Sequence, residues 1–138
     1  MTRYTLEEDI SFNFNLIGIS SHFHDYRVCW AINKSLDFEL ERSESEIIVR
    51  EVNKELLAFS TYIFICSETE VMFELISNRN ADGFLIPEMK QADYFLKLDD
   101  FYPESTSEIV RRLSAITMVN MAFEIDVETL RSKYNLIY

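Results

Sequence analysis

The chain has 138 residues, a length typical of one domain, and 24 acidic against 13 basic side chains give a formal charge of −11. Its 48% hydrophobic and 14% aromatic content excludes disorder for the whole, since disorder needs low hydrophobicity alongside charge. Two Gly and two Pro exclude a glycine-rich phosphate cradle and a Pro-rich linker, and the acidic excess speaks against nucleic-acid binding, which needs clustered Lys and Arg.

Residues 1–10 read as a flexible N-terminal arm of a single domain, 1–138. The opening MTRYTLEED lacks the apolar h-region of a secretory signal, and no apolar run approaches the ~20 residues of a spanning helix. A cytoplasmic protein without membrane association is expected. Phe12-Asn13-Phe14-Asn15-Leu16 alternates and runs into Ile17-Gly18-Ile19, a strand. Ser20-Ser21 offers N-cap oxygens for a helix over 22–35, with Tyr26, Cys29, Trp30 and Asn33 as its inward stripe and Phe23 and Leu36 at the margins. Asp37-Phe38-Glu39-Leu40-Glu41 alternates again, completing a β-α-β unit. Residues 44–57 mix strand and helix signals and lean towards extended structure.

Residues 61–66 and 71–76 form an expected hairpin across Ser67-Glu68-Thr69, the first arm apolar on both faces and hence central. Asn78-Arg79-Asn80-Ala81-Asp82-Gly83 is a turn by composition, and Phe84-Leu85-Ile86 a short strand stopped by Pro87. Tyr94-Phe95-Leu96-Lys97-Leu98 is the next strand. Ser105 and Glu108 have capping-box spacing, with Ile109, Val110, Leu113 and Ile116 as the buried stripe that follows. A strand over 118–125 comes next. Asp126 then caps a short helix through Lys133, and 135–138 dock as a tail. The class predicted is α+β, a sandwich of helices on a mainly antiparallel sheet, with two β-α-β units flanking a hairpin. A ferredoxin-like topology is the nearest simple template.

Ile86-Pro87-Glu88-Met89-Lys90-Gln91-Ala92-Asp93-Tyr94 resembles the signature of the bacterial IPExxxVDY family, with Ala92 in place of the usual Val. Similar blocks are Leu16-Ile17-Gly18-Ile19-Ser20-Ser21, Asp25-Tyr26-Arg27 through Trp30 and Asn33-Lys34, Leu75-Ile76-Ser77-Asn78, and the tail from Ser132 to Tyr138. The resemblance implies a small cytoplasmic bacterial protein and brings no reaction, ligand or catalytic residue with it. Turn chemistry accounts for the segment: Pro87 ends a strand, Glu88 accepts amides of the following turn, and Asp93 pins the start of the Tyr94 strand. The rival reading makes Glu88, Lys90, Asp93 and Tyr94 an acid–base site.

Other chemistry is weaker. His22 and His24 point about 200° apart on a helix and cannot chelate together, so surface or capping histidines are expected. Gly18-Ile19-Ser20-Ser21 joins a strand to a helix start without a phosphate-loop pattern. Cys29 and Cys66 lie in apolar surroundings and read as buried reduced thiols with raised pKa values. Residues 37–74 hold ten acids and three bases, a local charge of −7, whereas 109–138 carry +1.

The expected function is a non-enzymatic protein-interaction or regulatory module. Its candidate surface is Glu39, Glu41, Glu44, Glu46, Glu51 and Glu55, facing a protein partner with a basic surface or a second copy in a homodimer. The alternative is a small-ligand binder or enzyme built on Glu88, Asp93 and Tyr94. No catalytic residue, cofactor or metal site is assigned.

Overall fold

The computed structural model describes residues 12–50, 56–99, 102 and 105–138. The arm 1–10 and the surface candidates Glu51 and Glu55 lie outside the described residues. In chain order the elements are β1 (Phe14–Ser20), α1 (Asp25–Leu36), β2 (Glu41–Arg42), β3 (Ile47–Arg50), β4 (Leu56–Phe59), β5 (Thr61–Ile65) and β6 (Met72–Ser77). A 3-10 turn (Pro87–Met89) precedes β7 (Tyr94–Asp99), α2 (Thr106–Ser114) and β8 (Met121–Ile125), and two more 3-10 turns, Val127–Thr129 and Lys133–Leu136, follow.

Six strands form one sheet in the order β2-β5-β6-β7-β1-β8, each neighbouring pair antiparallel, while β3 and β4 pair separately. The class is α+β on a mainly antiparallel sheet. Alternation along the strands explains its layers. Ile17, Ile19, Phe73, Leu75, Leu96 and Leu98 face α1 and α2 through Val28, Ile32, Leu36, Ile109 and Leu113. Leu16, Ile76 and Phe95 point the other way, against Ile47, Leu57, Phe59, Leu85, Ile86 and Leu136. The sheet is therefore covered on both faces, where a sandwich of helices on a sheet was expected. The central strands are apolar on both sides and need two covers.

Several expectations change. The α1 stripe is rotated: Val28, Cys29, Ala31, Ile32 and Leu36 are buried, while Tyr26 and Trp30 are 60% and 56% exposed. Fully aliphatic Val28 and Ile32 bury without an orphaned polar atom, whereas the Tyr hydroxyl and Trp indole N–H would each need a partner. The N-cap is His24, with no side-chain cap bond, not Ser20 or Ser21. Asp37 ends α1 in the left-handed region at φ 57°, so the strand read from it shortens to β2, although Phe38 and Leu40 are buried as the alternation requires. The doubly apolar β5 is next to the edge, covered on its outer side by two-residue β2, and Ile65 is exposed.

Leu85 and Ile86 are buried in irregular backbone beyond a single Arg79–Phe84 bridge rather than in a strand. The helix after Asp126 is only the turn Val127–Thr129, capped as expected through the Glu128 amide at 3.1 Å. The 61–66/71–76 hairpin and the α2 cap at Ser105 match the reading, the latter through the Glu108 amide at 3.2 Å. Gly18 answers to packing: a Cβ there would stand 2.5 Å from the Phe123 ring.

Candidate functional site

At the sheet end where β1 and β6 finish and β7 begins, a polar cleft of about 460 Å³ opens beside the start of α1. Asp25, the first residue of α1, lines it. Its Oδ2 accepts the Ser60 hydroxyl at 2.7 Å, and Ser60 Oγ lies 2.8 Å from Ser77 Oγ. Its Oδ1 accepts the Tyr26 amide at 2.8 Å. Ser60 is the single residue between β4 and β5, and Ser77 ends β6, so strand ends fix this chain of hydroxyls.

Asp93, just before β7, lines the cleft as well. Its Oδ2 accepts the Ser21 amide at 2.8 Å and its Oδ1 pairs with Arg79, while its own amide donates to Ile19 O at 2.8 Å. The Tyr94 hydroxyl donates to Phe23 O at 2.5 Å. Burial, with the charges of Asp25 and Asp93, pushes the Tyr94 phenol up to about 12. Burial, with the Asp25 charge, likewise pushes Cys29 to about 11 and raises Tyr62. These hydroxyl and thiol groups stay protonated at neutral pH and act as donors, not nucleophiles. Cys66 departs from its expectation: it is only half-buried, and hydrogen bonding to Thr69 lowers its pKa.

The signature segment is divided. Asp93 and Tyr94 line the cleft; Pro87, Glu88 and Lys90 do not. Pro87 opens the 3-10 turn, where its missing amide costs nothing. Glu88 accepts the Ser132 amide at 2.7 Å and the Ser132 hydroxyl at 2.9 Å, in addition to its own backbone amide. Partial burial opposes ionisation of Glu88, but these donors outweigh it and hold the carboxyl below its ordinary value. The Lys90 ammonium lies 5.7 Å from the centre of the Phe84 ring. The supposed acid–base group is thus split between two places.

Glu39, Glu41, Glu44 and Glu46 are exposed. They do not form one uninterrupted acidic patch, because Arg42 stands among them, 3.7 Å from Glu46. His22 and His24 are exposed residues before α1 that line the cleft, and His24 stacks on Tyr26 at 5.9 Å. Among the described residues no three His, Cys, Asp or Glu side chains group to hold a metal ion, and no helix is long and apolar enough to cross a membrane.

No protein-family model matches the chain, and no curated protein is similar to it in sequence. The site residues therefore rest on geometry alone.

Two groupings escaped the sequence reading. The outward face of α1 carries Tyr26 and Trp30, with Phe23 just before the helix; Arg27 lies 5.2 Å from the Phe23 ring and Lys34 5.0 Å from the Trp30 ring. The signal for it was the placement of Arg27 and Lys34 four residues beyond Phe23 and Trp30, which marks a solvated face. On the sheet, buried Glu74 lies directly across from Lys97, whose ammonium is 3.9 Å away and donates to Leu136 O at 2.7 Å. The Tyr138 hydroxyl donates to the other Glu74 oxygen, locking the tail down. Burial lowers the Lys97 pKa despite Glu74, and burial with the Glu74 charge raises that of Tyr138. A lone acid and a lone base in two apolar strands were the available signal.

Proposed function

We propose that this chain is a protein-interaction module that docks a partner through the outward face of α1, and is not an enzyme. The observation that carries the reading is Tyr26 and Trp30, 60% and 56% exposed on α1 with Arg27 and Lys34, and Phe23, 41% exposed just before it with Arg27 over its ring. Interface anchors are enriched in Trp, Tyr and Arg because rigid aromatic rings bury large area at small entropic cost. Lone carboxylates are depleted from interface cores, so Glu39, Glu41, Glu44 and Glu46 steer a basic region of the partner rather than anchor it. Cytoplasmic location and membership of the IPExxxVDY family are part of the same proposal, supported by the 86–94 segment. The order β6-β7-β1-β8 supports a ferredoxin-like reading of the sheet's centre, with β5 and β2 added at one side.

Affinity capture from native lysate tests this. A stoichiometric partner held by the native protein and lost by the Tyr26→Ala/Trp30→Ala variant is expected. Equal capture by both proteins would contradict it.

A further inference from the structure

We propose that the polar cleft binds a small zwitterion of the amino-acid type, its carboxylate on the Arg42 guanidinium and its ammonium towards Asp25. The volume, about 460 Å³, lies within the ~300–1,000 Å³ of small-molecule sites.

Among the described residues the Arg42 side chain has two ion pairs and the Tyr62 ring, 5.9 Å away, but no hydrogen-bonded partner. Its guanidinium stands 4.0 Å from Asp25 and 3.7 Å from Glu46, near enough to pair electrostatically but beyond hydrogen-bond reach. Its N–H fork is available, and a carboxylate fits such a fork with two parallel bonds. Arg79 is committed differently, with one nitrogen held by Asp93. The Asp25 carboxylate accepts the Tyr26 amide, the Ser60 hydroxyl and a hydrogen bond from Tyr62, three of about four lone-pair positions, which leaves one for an ammonium. Ser60 and Ser77 add hydroxyls that donate or accept.

The balance of charge selects the class. Asp25, Asp93 and Glu46 repel a polyanion such as a nucleotide phosphate, while a simple amine would leave the Arg42 fork without a hydrogen-bonded partner. A ligand carrying one charge of each sign meets a partner for both. The inference does not depend on how α1 docks a partner.

Amide NMR of the full chain, titrated at millimolar concentration with the standard amino acids and glycyl dipeptides, provides the test. Saturable shifts at Ser60, Ser77 and Arg42 are expected with at least one of them. Its deaminated and decarboxylated analogues should bind about tenfold more weakly or worse, each having lost one charged contact. Arg42→Gln should reduce affinity at least as much with an unchanged spectrum elsewhere, because it leaves the backbone pairing of β2 with β5 in place and the Arg42 side chain has no hydrogen bond among the described residues. Arg42→Lys, which keeps the charge without the fork, should fall between. Silence across the panel would overturn the proposal, as would equal binding of an analogue that lacks either charge. Inorganic phosphate producing the same shifts would reduce the cleft to a simple anion site and overturn it too.

Discussion

Asn78 follows β6 with no solvent exposure, and it organises the whole segment that leads to β7. Its Oδ1 accepts the Ile86 amide at 2.7 Å, and its Nδ2 donates to Met89 O at 3.0 Å and Ala92 O at 2.8 Å. Asn78→Ala would leave the Ile86 amide and the Ala92 carbonyl buried without partners, while Met89 O keeps the Ala92 amide. At about 1–3 kcal/mol each, the loss should be roughly 2 kcal/mol or more in urea denaturation. A loss under about 1 kcal/mol would show that water takes over these bonds. The turn at 78–83 was readable from Asn, Asp and Gly, because turn chemistry is local. The task of Asn78 was not, since its partners lie 8 to 14 residues away. Glu88 repeats the lesson: its donors on Ser132 are 44 residues distant, whereas the Ser105 cap sits three residues from its amide and was legible.

Among the elements, α1 shows where periodicity stops being decisive. Two apolar stripes share this helix, one aromatic and one aliphatic, and spacing alone does not rank them. The sheet surface ranks them, since Val28, Ile32 and Leu36 meet Ile17, Ile19 and Leu75 without orphaning a hydroxyl or an indole. Asn33, placed correctly towards the interior, clips the following segment by donating to Leu40 O at 3.1 Å and accepting its amide at 2.9 Å. Ile32→Ala should therefore cost about 2–5 kcal/mol of stability, and Trp30→Ala less than about 1 kcal/mol. The reverse order in denaturation midpoints would restore the aromatic stripe to the core.

For the molecule as a whole, both covers of the sheet were encoded in the doubly apolar strands, but strand order depends on pairings across the chain that local alternation does not carry. Burial of the Cys29 thiol and of three tyrosine hydroxyls has a collective consequence in alkali. Folded pKa values raised above the unfolded ones add stability that is full below the unfolded value and lost as pH rises through the folded one. Cys29 moves from 9.0 to about 11 and Tyr94 from 10.0 to about 12, with Tyr62 and Tyr138 raised as well. Lys97, lowered by burial, acts in the opposite sense and is outnumbered. The urea midpoint should fall between about pH 9 and 12, and Tyr94→Phe should flatten the upper part of that fall by on the order of 2 kcal/mol. A midpoint that is level or rising over this range would contradict the buried placement of these groups.

Trp30 is the only tryptophan in the chain and stands on the face proposed to dock a partner. Fluorine NMR of the fluorotryptophan-labelled protein, with the captured partner added unlabelled, reads that face directly. A shifted, broadened Trp30 resonance that becomes protected from a soluble quencher is expected on binding. A partner that binds while the Trp30 resonance stays unmoved and fully accessible would contradict docking through α1.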